Sequence, residues 1–385
     1  MNTRTGRVGV GIIGAGVIAA QYLGQLTTFP DVTVHAIGDL RPEAAKARAE
    51  EYGVPHHGGV ETVLENPEVE IVVNLTIPAA HHDVSSAILA AGKHVWSEKP
   101  LTTTREDAAD LLRVAEEKSL RIGCAPDTVL GAGVQTSLRT LASGAIGEPR
   151  SAVARFRSPG PESWHPNPDF LFQVGAGPLY DIGPYYLTAL VMAYGPVTSV
   201  SAVGSRASET RTIGSGPRAG ETFEVEVPTH VNGLLRFASG ATGAVEFSFD
   251  DPIGRPHVLE LTGSTGTIGL PDPNVFDGPT QVAQRGDKDW SEHKAVGAGS
   301  SDSRSNRALP PHDLQVGRGL GVLEMARAIR AGRPHRLTGE LADHVLDIMI
   351  SLDEATRTPE SVTVASTVAA PALLDEDFDP HAATL

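Results

Sequence analysis

The feature that most constrains the fold is a glycine-rich segment that directly follows an apolar run near the start of the chain. Residues 7–13 alternate small and β-branched side chains, as a buried parallel strand does. The next residues, 14–19, read Gly-Ala-Gly-Val-Ile-Ala and match the pattern G-x-G-x-x-A, and apolar positions at helical spacing follow them. Glycines alone often only close a turn, but between a strand and a helix this pattern predicts a dinucleotide site.

Each position of this segment has a physical role in that prediction. Gly14 permits the tight turn, and Gly16 lets the backbone approach a pyrophosphate. Val17 and Ile18 begin the helix, whose amino end faces the anion, and Ala19 allows the helix to pack closely on the strand. Gly14, Gly16, Val17 and Ile18 are therefore candidate cofactor-binding residues.

A carboxylate follows the second predicted strand, residues 31–38, where such sites hold the ribose. Asp39 favours NAD because its charge repels a 2′-phosphate, whereas Arg41 could instead receive that phosphate. Asp39 could also only cap the helix predicted over residues 42–52. We predict NAD as the cofactor, with NADP not excluded.

Further candidates lie at the ends of the third and fourth predicted strands, residues 70–76 and 94–97, because parallel sheets bind ligands at the carboxyl ends of their strands. The cofactor-side candidates there are Thr76, Pro78, His81, Glu98 and Lys99. His81 and His82 lack a third ligand at a recognisable spacing, so we predict no metal site. Lys99 could carry a proton if its pKa were lowered, or could be an ordinary surface lysine.

The alternation of strands and helices predicts a doubly wound α/β domain over residues 1–127, ending with a fifth strand at 120–125. Residues 128–385 predict an α+β domain, because five strand patterns between 197 and 262 lack intervening helices and favour an antiparallel sheet. We expect long loops at 206–220 and 277–313, helices at 134–144, 320–331 and 340–356, a last strand at 361–366 and a frayed tail from 369.

Three stretches supply the remaining site candidates. Asp127 follows the fifth strand and is a candidate substrate ligand. Residues 158–168 are too rich in proline for regular structure, and this loop carries Trp164 and His165, which either face a substrate or pack on the surface. Asp181 and Tyr185 are one turn apart on a predicted helix that ends near residue 194, so the carboxylate could orient the phenol or its substrate. Alternatively, Asp181 caps the helix and Tyr185 packs.

Composition excludes several classes of partner. The chain of 385 residues has a formal net charge of −16, which argues against nucleic acid and against an anionic membrane surface. Its one cysteine, Cys124, cannot form an internal disulfide and fits a reducing compartment. We expect no signal peptide and no membrane span, and a cytoplasmic protein.

Three of these features together resemble the Gfo/Idh/MocA oxidoreductases, which are named for glucose-fructose oxidoreductase, inositol dehydrogenase and rhizopine catabolism. They are the Gly-Ala-Gly turn at 14–16, the Glu-Lys-Pro at 98–100 and the Gly-x-Gly-x-x-x-Asp-Ile-Gly that ends at Gly183. The resemblance implies a Rossmann domain followed by an α+β domain with a large open, mainly antiparallel sheet, one face of which forms a homodimer or homotetramer interface. It also implies an active-site Lys99, a cis Lys99–Pro100 peptide and a substrate contact from Asp181. The usual family motif has His four residues after that Asp, where this chain has Tyr185.

The resemblance implies an NAD-dependent oxidoreductase that transfers hydride between nicotinamide and a secondary hydroxyl of a sugar, glycoside or cyclitol. Tyr185 or Lys99 would carry the hydroxyl proton, with the lysine charge lowering the pKa of the phenol. One alternative is an NAD-dependent glycosidase that oxidises C3 transiently, eliminates the aglycone and reduces the ring again. Another is a non-catalytic NAD-binding sensor.

Overall fold

The amino-terminal part of the chain forms a parallel sheet with the strand order β3-β2-β1-β4-β5-β6. The computed structural model describes residues 5–298 and 316–385. The strands of this sheet are β1 (Val8–Ile13), β2 (Val32–Gly38), β3 (His56–Gly58), β4 (Ile71–Asn74), β5 (His94–Ser97) and β6 (Ile122–Cys124). Both faces are covered by the helices α1 (Val17–Leu26), α2 (Pro42–Tyr52), α3 (Val60–Leu64), α4 (His81–Ala90) and α5 (Arg105–Glu117).

The five strands predicted for this domain are all present, and a further strand and helix were missed. β3 is only three residues long and lies at the sheet edge beside β2, and α3 has only five residues. Neither segment is long enough to show a periodic pattern. The Lys99–Pro100 peptide is cis, as the resemblance implied, and Ala125–Pro126 is also cis.

The second sheet is large and mixed, in the order β16-β15-β14-β13-β7-β12-β11-β8-β17, with antiparallel pairs everywhere except between β7 and β12. Together with the first sheet, it confirms the predicted fold class. Its strands are β7 (Pro149–Arg157), β8 (Val197–Ser205), β11 (His230–Phe237), β12 (Thr242–Ser248), β13 (Arg255–Gly263), β14 (Gly266–Gly269), β15 (Thr280–Gln284), β16 (Ser291–His293) and β17 (Val362–Thr363). A separate ribbon pairs β9 (Thr210–Thr212) with β10 (Thr222–Glu224).

Both predicted long loops contain strands, so these predictions are partly wrong. β9 lies within 206–220, and β15 and β16 lie within 277–313, of which residues 299–313 are outside the described part. Val282 of β15 is buried and pairs with Ile268 of β14. Pairing with a neighbouring strand therefore outweighs the polar composition of these segments.

Four more helices complete the described fold: α6 (Ala132–Ala142), α7 (Gly177–Tyr194), α8 (Leu320–Arg330) and α9 (Gly339–Ala355). α7 packs on β7, β11 and β12 of the second sheet, α8 packs on β4, β6 and α1 of the first part, and α9 contacts both parts of the molecule. Gly123 of β6 forms a β-bridge with Thr338, just before α9. The chain thus returns late in the sequence to close one side of the first sheet.

The carboxyl-terminal tail is docked, so the prediction of a frayed tail is wrong. The Leu374 side chain is buried and its backbone N–H donates to Oε1 of Gln135 at 2.7 Å. The backbone N–H groups of Thr384 and Leu385 both donate to Oδ1 of the buried Asp31. A buried carboxylate needs such donors, and the chain end supplies them.

Candidate active site

A cavity of about 400 Å³ lies where the carboxyl ends of β4 and β5 face the first half of α7. Its walls bring together residues that are far apart in the sequence. The predicted site residues that line it are Ile18, Thr76, Pro78, Glu98, Lys99, Trp164, His165, Asp181 and Tyr185. Seven other predicted site residues are not part of its wall: Gly14, Gly16, Val17, Asp39, Arg41, His81 and Asp127.

The glycine turn has the geometry that a dinucleotide requires. Gly14 has φ +105°, and a Cβ there would lie 2.6 Å from the carbonyl oxygen of Leu75, so only glycine fits. Gly16 begins α1 with no side-chain cap, and a Cβ built on it meets nothing within 4 Å. The first N–H groups of α1 therefore face open space beside the exposed Val17, as anion binding demands.

Asp39 is held at the end of β2 by the turn itself. Its Oδ2 accepts from the backbone N–H of Ala15 and its Oδ1 from that of Arg41, both at 2.8 Å. The guanidinium of Arg41 is largely exposed, with Nε 3.9 Å from the same Oδ1. Asp39 thus links the glycine turn to the strand beside it, and the residues present fit a dinucleotide whose ribose contacts this carboxylate.

Two buried residues support the floor between the nucleotide end and the cavity. The His81 ring places Nδ1 at 2.6 Å from the Pro100 carbonyl oxygen and Nε2 at 3.1 Å from that of Thr76. Glu98 accepts from the Tyr22 hydroxyl through Oε1 at 2.8 Å and from its neighbour's backbone N–H through Oε2. His81 therefore positions the two loops that line the cavity and does not itself face it.

Lys99, Asp181 and Tyr185 form one cluster at the base of the cavity. Nζ of Lys99 donates to Oδ1 of Asp181 at 2.8 Å and to its carbonyl oxygen at 2.7 Å, and lies 5.2 Å from the centroid of the Tyr185 ring. Burial lowers the pKa of Lys99, but Asp181, Tyr185 and Glu98 together outweigh burial and hold that pKa above its ordinary value. Lys99 is therefore a fixed cation, which argues against its use as a base.

Tyr185 is also shifted in a direction that the sequence analysis did not predict. Burial raises the pKa of the Tyr185 phenol above its ordinary value, although the positive charges of Lys99 and Arg318 lower it. The lysine charge thus acts in the expected direction, but burial outweighs it and the net pKa is raised. At neutral pH Tyr185 is a protonated phenol, ready to donate.

Arg318 is a site residue that sequence reasoning missed. One of its NH2 groups donates to the Tyr185 hydroxyl at 2.9 Å and to Oδ1 of Asn274 at 3.0 Å, and its guanidinium carbon lies 5.2 Å from the Tyr185 ring centroid. In the sequence it stands between Gly317 and Gly319, just before α8, with no partner at a recognisable spacing. Its position before a helix was the only signal, and many surface arginines share it.

Asp127 does not contact the cavity, which corrects the prediction that it binds substrate. It is completely buried, and its Oδ2 accepts from the backbone N–H groups of Gly319 and Gly321 at 2.7 and 3.1 Å. These bonds cap α8 and fix the backbone next to Arg318. Asp127 therefore acts on the site through Arg318, whose NH1 is 3.9 Å from its Oδ1.

The loop predicted to carry substrate contacts does line the cavity. The ring centroids of Trp164 and His165 are 5.5 Å apart and those of His165 and Phe170 are 5.6 Å apart, both edge to face. Nδ1 of His165 accepts from the backbone N–H of Asn167 at 3.1 Å, which sets the ring orientation. This aromatic row, Trp164–His165–Phe170, stands opposite the nucleotide wall.

Residues 5–298 and 316–385 contain no group of three or more His, Cys, Asp or Glu side chains arranged to hold a metal ion. Within those same ranges, none of the helices is sufficiently long and apolar to span a bilayer.

Comparison with known proteins decides the family. Residues 8–125 match the model of an oxidoreductase family with an NAD-binding Rossmann fold, and residues 134–269 match the Gfo/Idh/MocA carboxyl-terminal domain. The chain belongs to the Gfo/Idh/MocA oxidoreductase family. The resemblance, the NAD cofactor and the function as an NAD-dependent oxidoreductase are thereby confirmed. Individual site residues and the boundary at residue 127 remain predictions.

Several relatives of this Gfo/Idh/MocA protein are named as sugar oxidoreductases, and others as trans-1,2-dihydrobenzene-1,2-diol dehydrogenases. It is 32% identical to dTDP-3,4-didehydro-2,6-dideoxy-alpha-D-glucose 3-reductase of Streptomyces antibioticus, over 88% of this chain and 93% of that protein. It is 26% identical to levoglucosan dehydrogenase of Pseudarthrobacter phenanthrenivorans, over 69% of this chain and 73% of that protein.

Solved structures share the fold of this Gfo/Idh/MocA protein. An NAD-binding oxidoreductase from Klebsiella pneumoniae has a TM-score of 0.80 at 21% identity, covering 94% of this chain and 100% of that one. Levoglucosan dehydrogenase in complex with NADH and L-sorbose has a TM-score of 0.79 at 22% identity, covering 94% and 99%.

Proposed function

We propose that this protein transfers hydride reversibly between NAD and a secondary hydroxyl of a sugar, glycoside or cyclitol. Residues 1–127 would bind the nucleotide and residues 128–385 would supply the substrate wall. The observation that carries this proposal is that Lys99, Asp181 and Tyr185 form one cluster in the cavity. The wall of the same cavity includes Ile18 of α1, directly after the glycine turn. The names of the relatives, a sugar-nucleotide reductase and a sugar dehydrogenase, support a carbohydrate substrate.

The proton is assigned to Tyr185. When bound, the nicotinamide ring accepts or supplies the hydride. The Tyr185 phenol donates its proton to the carbonyl oxygen during reduction, and its phenolate takes the hydroxyl proton during oxidation. The raised pKa of Tyr185 favours donation at neutral pH, so oxidation should accelerate toward alkaline pH. Arg318 donates to the phenol oxygen and therefore stabilises the phenolate while leaving the phenol proton for the substrate.

Lys99 and Asp181 position the substrate in this scheme. Lys99 keeps its charge and can donate to the reacting oxygen, where negative charge develops. Because Oδ1 of Asp181 is bonded to Lys99, Oδ2 is the oxygen placed to accept from a neighbouring hydroxyl of the polyol. Trp164 and His165 would form the substrate wall on the other side.

The nucleotide end supports NAD over NADP. Asp39 is fixed by two backbone N–H donors, so its carboxylate cannot easily turn away from the ribose 2′-oxygen. The proposed cofactor-binding roles of Ile18, Thr76, Pro78 and Glu98 rest on their place in the cavity wall. Those of Gly14, Gly16 and Val17 rest on the glycine turn and the start of α1, and Arg41 lies on the surface.

A homodimer or homotetramer through the open face of the second sheet is part of the proposal. Val153, Val203 and Leu234 are exposed on strands β7, β8 and β11 of that sheet. Val153 and Leu234 both pair across Ala244, so they are close neighbours on one surface. Light scattering of the purified protein would measure the assembly. The buried lone thiol of Cys124 supports a cytoplasmic location.

The test is a panel assay with the full-length protein and NAD, using free sugars, cyclitols and nitrophenyl glycosides, in which NADH and released nitrophenol are followed together. NADH that accumulates with a polyol supports the proposal and names the substrate. Nitrophenol released without NADH would instead indicate the redox-neutral glycosidase. Firm NAD binding without turnover of any compound would indicate the sensor.

A further inference from the structure

Four large apolar side chains are exposed together at the cavity, although such residues are normally scattered singly. Trp164 is 68% exposed and Val174 83%, and Phe170 and Ile77 are also exposed. All four belong to the cavity wall. Ile77 comes from the nucleotide side and the other three from the substrate side, so the apolar surface borders the cavity from both sides.

The aromatic part of this surface is rigid enough to be a binding surface. Trp164, His165 and Phe170 contact one another edge to face, as described above, and His165 is also held by the Asn167 backbone. A ligand that packs on these rings meets a preformed row and orders few new side chains, which reduces the entropic cost of binding. Aromatic surfaces of this kind bind flat apolar groups well.

The positively charged side chains at and near this cavity are already bonded to neighbouring groups. The two cations in the described wall are Lys99 and Arg318, which are bonded to Asp181 and Tyr185 at the base. Arginines that contact the neighbouring loop are neutralised as well: Arg211 pairs with Glu162 at 2.6 Å and Arg218 with Asp169 at 2.8 Å.

A diphosphate is poorly matched to this environment. Within the described residues it would meet the exposed rings and Val174 in place of free guanidinium or ammonium groups, and burial of unpaired charge is costly. The wall thus differs from what a sugar nucleotide needs, although one characterised relative is named for such a substrate.

We propose that the substrate is a neutral glycoside with an aromatic aglycone, whose ring packs on Trp164, Phe170 and Val174 while its sugar reaches Lys99, Asp181 and Tyr185. The inference rests on the proposed function for the position of the sugar. It adds a second subsite that selects the aglycone, and it predicts that sugar nucleotides bind more weakly than aromatic glycosides.

The experiment compares matched compounds and matched variants. The compounds are the methyl and phenyl β-D-glycosides of glucose, galactose and xylose, together with dTDP-glucose. NADH formation is assayed with each compound, and its binding to the NADH-loaded protein is measured by calorimetry. Each phenyl glycoside should bind about tenfold more tightly than its methyl partner, because one well-packed aromatic contact typically changes affinity by about this factor. Trp164→Ala should remove that preference, so that each phenyl glycoside binds no more tightly than its methyl partner.

The control variant is Trp290→Ala, because Trp290 is also exposed but is not part of the cavity wall. It should leave the phenyl preference intact. The inference is overturned if the phenyl preference is equal in wild type and Trp164→Ala, or if dTDP-glucose binds more tightly than any phenyl glycoside. In either case, NADH formation would still support the proposed function. Phenyl glycosides that bind through Trp164 without any NADH formation or turnover would preserve the subsite and refute the dehydrogenase. Failure of every glycoside to bind contradicts both.

Discussion

Two buried Arg–Asp pairs lie at opposite ends of α8, and they differ in how completely they are satisfied. Near its carboxyl end, Nε of Arg327 donates to Oδ2 of Asp31 at 2.7 Å, and Asp31 also accepts from Thr384 and Leu385. Before its amino end, NH1 of Arg318 and Oδ1 of Asp127 are 3.9 Å apart, and neither atom has a hydrogen-bond partner among the described residues.

The pKa directions reflect the same difference. Burial raises the pKa of Asp31, but hydrogen bonds from Thr384, Arg327 and Leu385 outweigh burial and hold that pKa below its ordinary value. Burial raises the pKa of Asp127 above its ordinary value because Arg318 and two backbone N–H groups compensate it only in part. The Arg327–Asp31 pair stabilises the fold. In the Arg318–Asp127 pair, Arg318 donates directly to the hydroxyl of Tyr185, which we assign as the proton carrier.

The largest effect is expected beside the incomplete pair. Tyr185→Phe removes the proton carrier and should lower kcat about 10²–10⁴-fold, the usual contribution of general acid–base catalysis. Arg318 keeps its bond to Asn274 in this variant, so the fold should be preserved. Tyr186→Phe is the matched control, because its buried ring packs beside Phe247 away from the cavity wall. Equal kcat in the two variants would contradict the assignment.

Disruption of the Arg327–Asp31 pair should lower the stability of the fold. Asp31→Asn leaves the buried Arg327 without its counterion and should lower the free energy of unfolding by roughly 3–5 kcal/mol. Asp127→Asn keeps an oxygen for Gly319 and should cost about 1 kcal/mol, the typical value of one hydrogen bond. Chemical denaturation measures both, and a larger loss for Asp127→Asn would contradict the comparison.

The same pair predicts how stability depends on pH. Because its folded-state pKa is lowered, Asp31 contributes stability that is complete above its unfolded pKa of about 4 and is lost as pH falls through the folded value. Wild type should therefore lose more stability than Asp31→Asn on acidification below pH 4. Parallel denaturation curves for the two proteins from pH 5 to pH 2 would show that Asp31 is not coupled to folding.

The smallest effect is expected at a third carboxylate, Asp39, which accepts from two backbone donors and which we propose contacts the nucleotide ribose. Asp39→Ser should raise KM for NAD about tenfold and lower KM for NADP, since the repulsion of a 2′-phosphate is removed. Steady-state kinetics with both cofactors checks this. An unchanged ratio of the two specificity constants would assign Asp39 only to the turn.

The nucleotide half could be predicted residue by residue, because its signals are local. Gly14, Gly16 and Asp39 stand at fixed places relative to one strand and one helix, and the structure puts them together as expected. The sequence also predicted Lys99 and Asp181 as site residues. Their contact with each other could not be predicted, because it depends on how α7 packs beside the residues that follow β5.

The rest of the site depends on long-range contacts that carry no sequence period. Arg318 reaches Tyr185 only because Asp127 caps α8, and each of these residues looks ordinary in its own segment. The docked tail is similar, since nothing in residues 369–385 shows that Asp31 needs their backbone donors. The net pKa shift of Tyr185 could not be predicted because burial cannot be read from a single helix.

The most direct test of the account compares Arg318→Gln with Arg327→Gln. For each variant, the pH dependence of sugar oxidation and the melting temperature are measured. Because Arg318 lowers the pKa of Tyr185, Arg318→Gln should move the alkaline rise of the oxidation rate to higher pH and change the melting temperature little. Arg327→Gln should lower the melting temperature and leave the profile of the folded enzyme unchanged. An unshifted profile in Arg318→Gln, with a loss of stability equal to that of Arg327→Gln, would contradict the account.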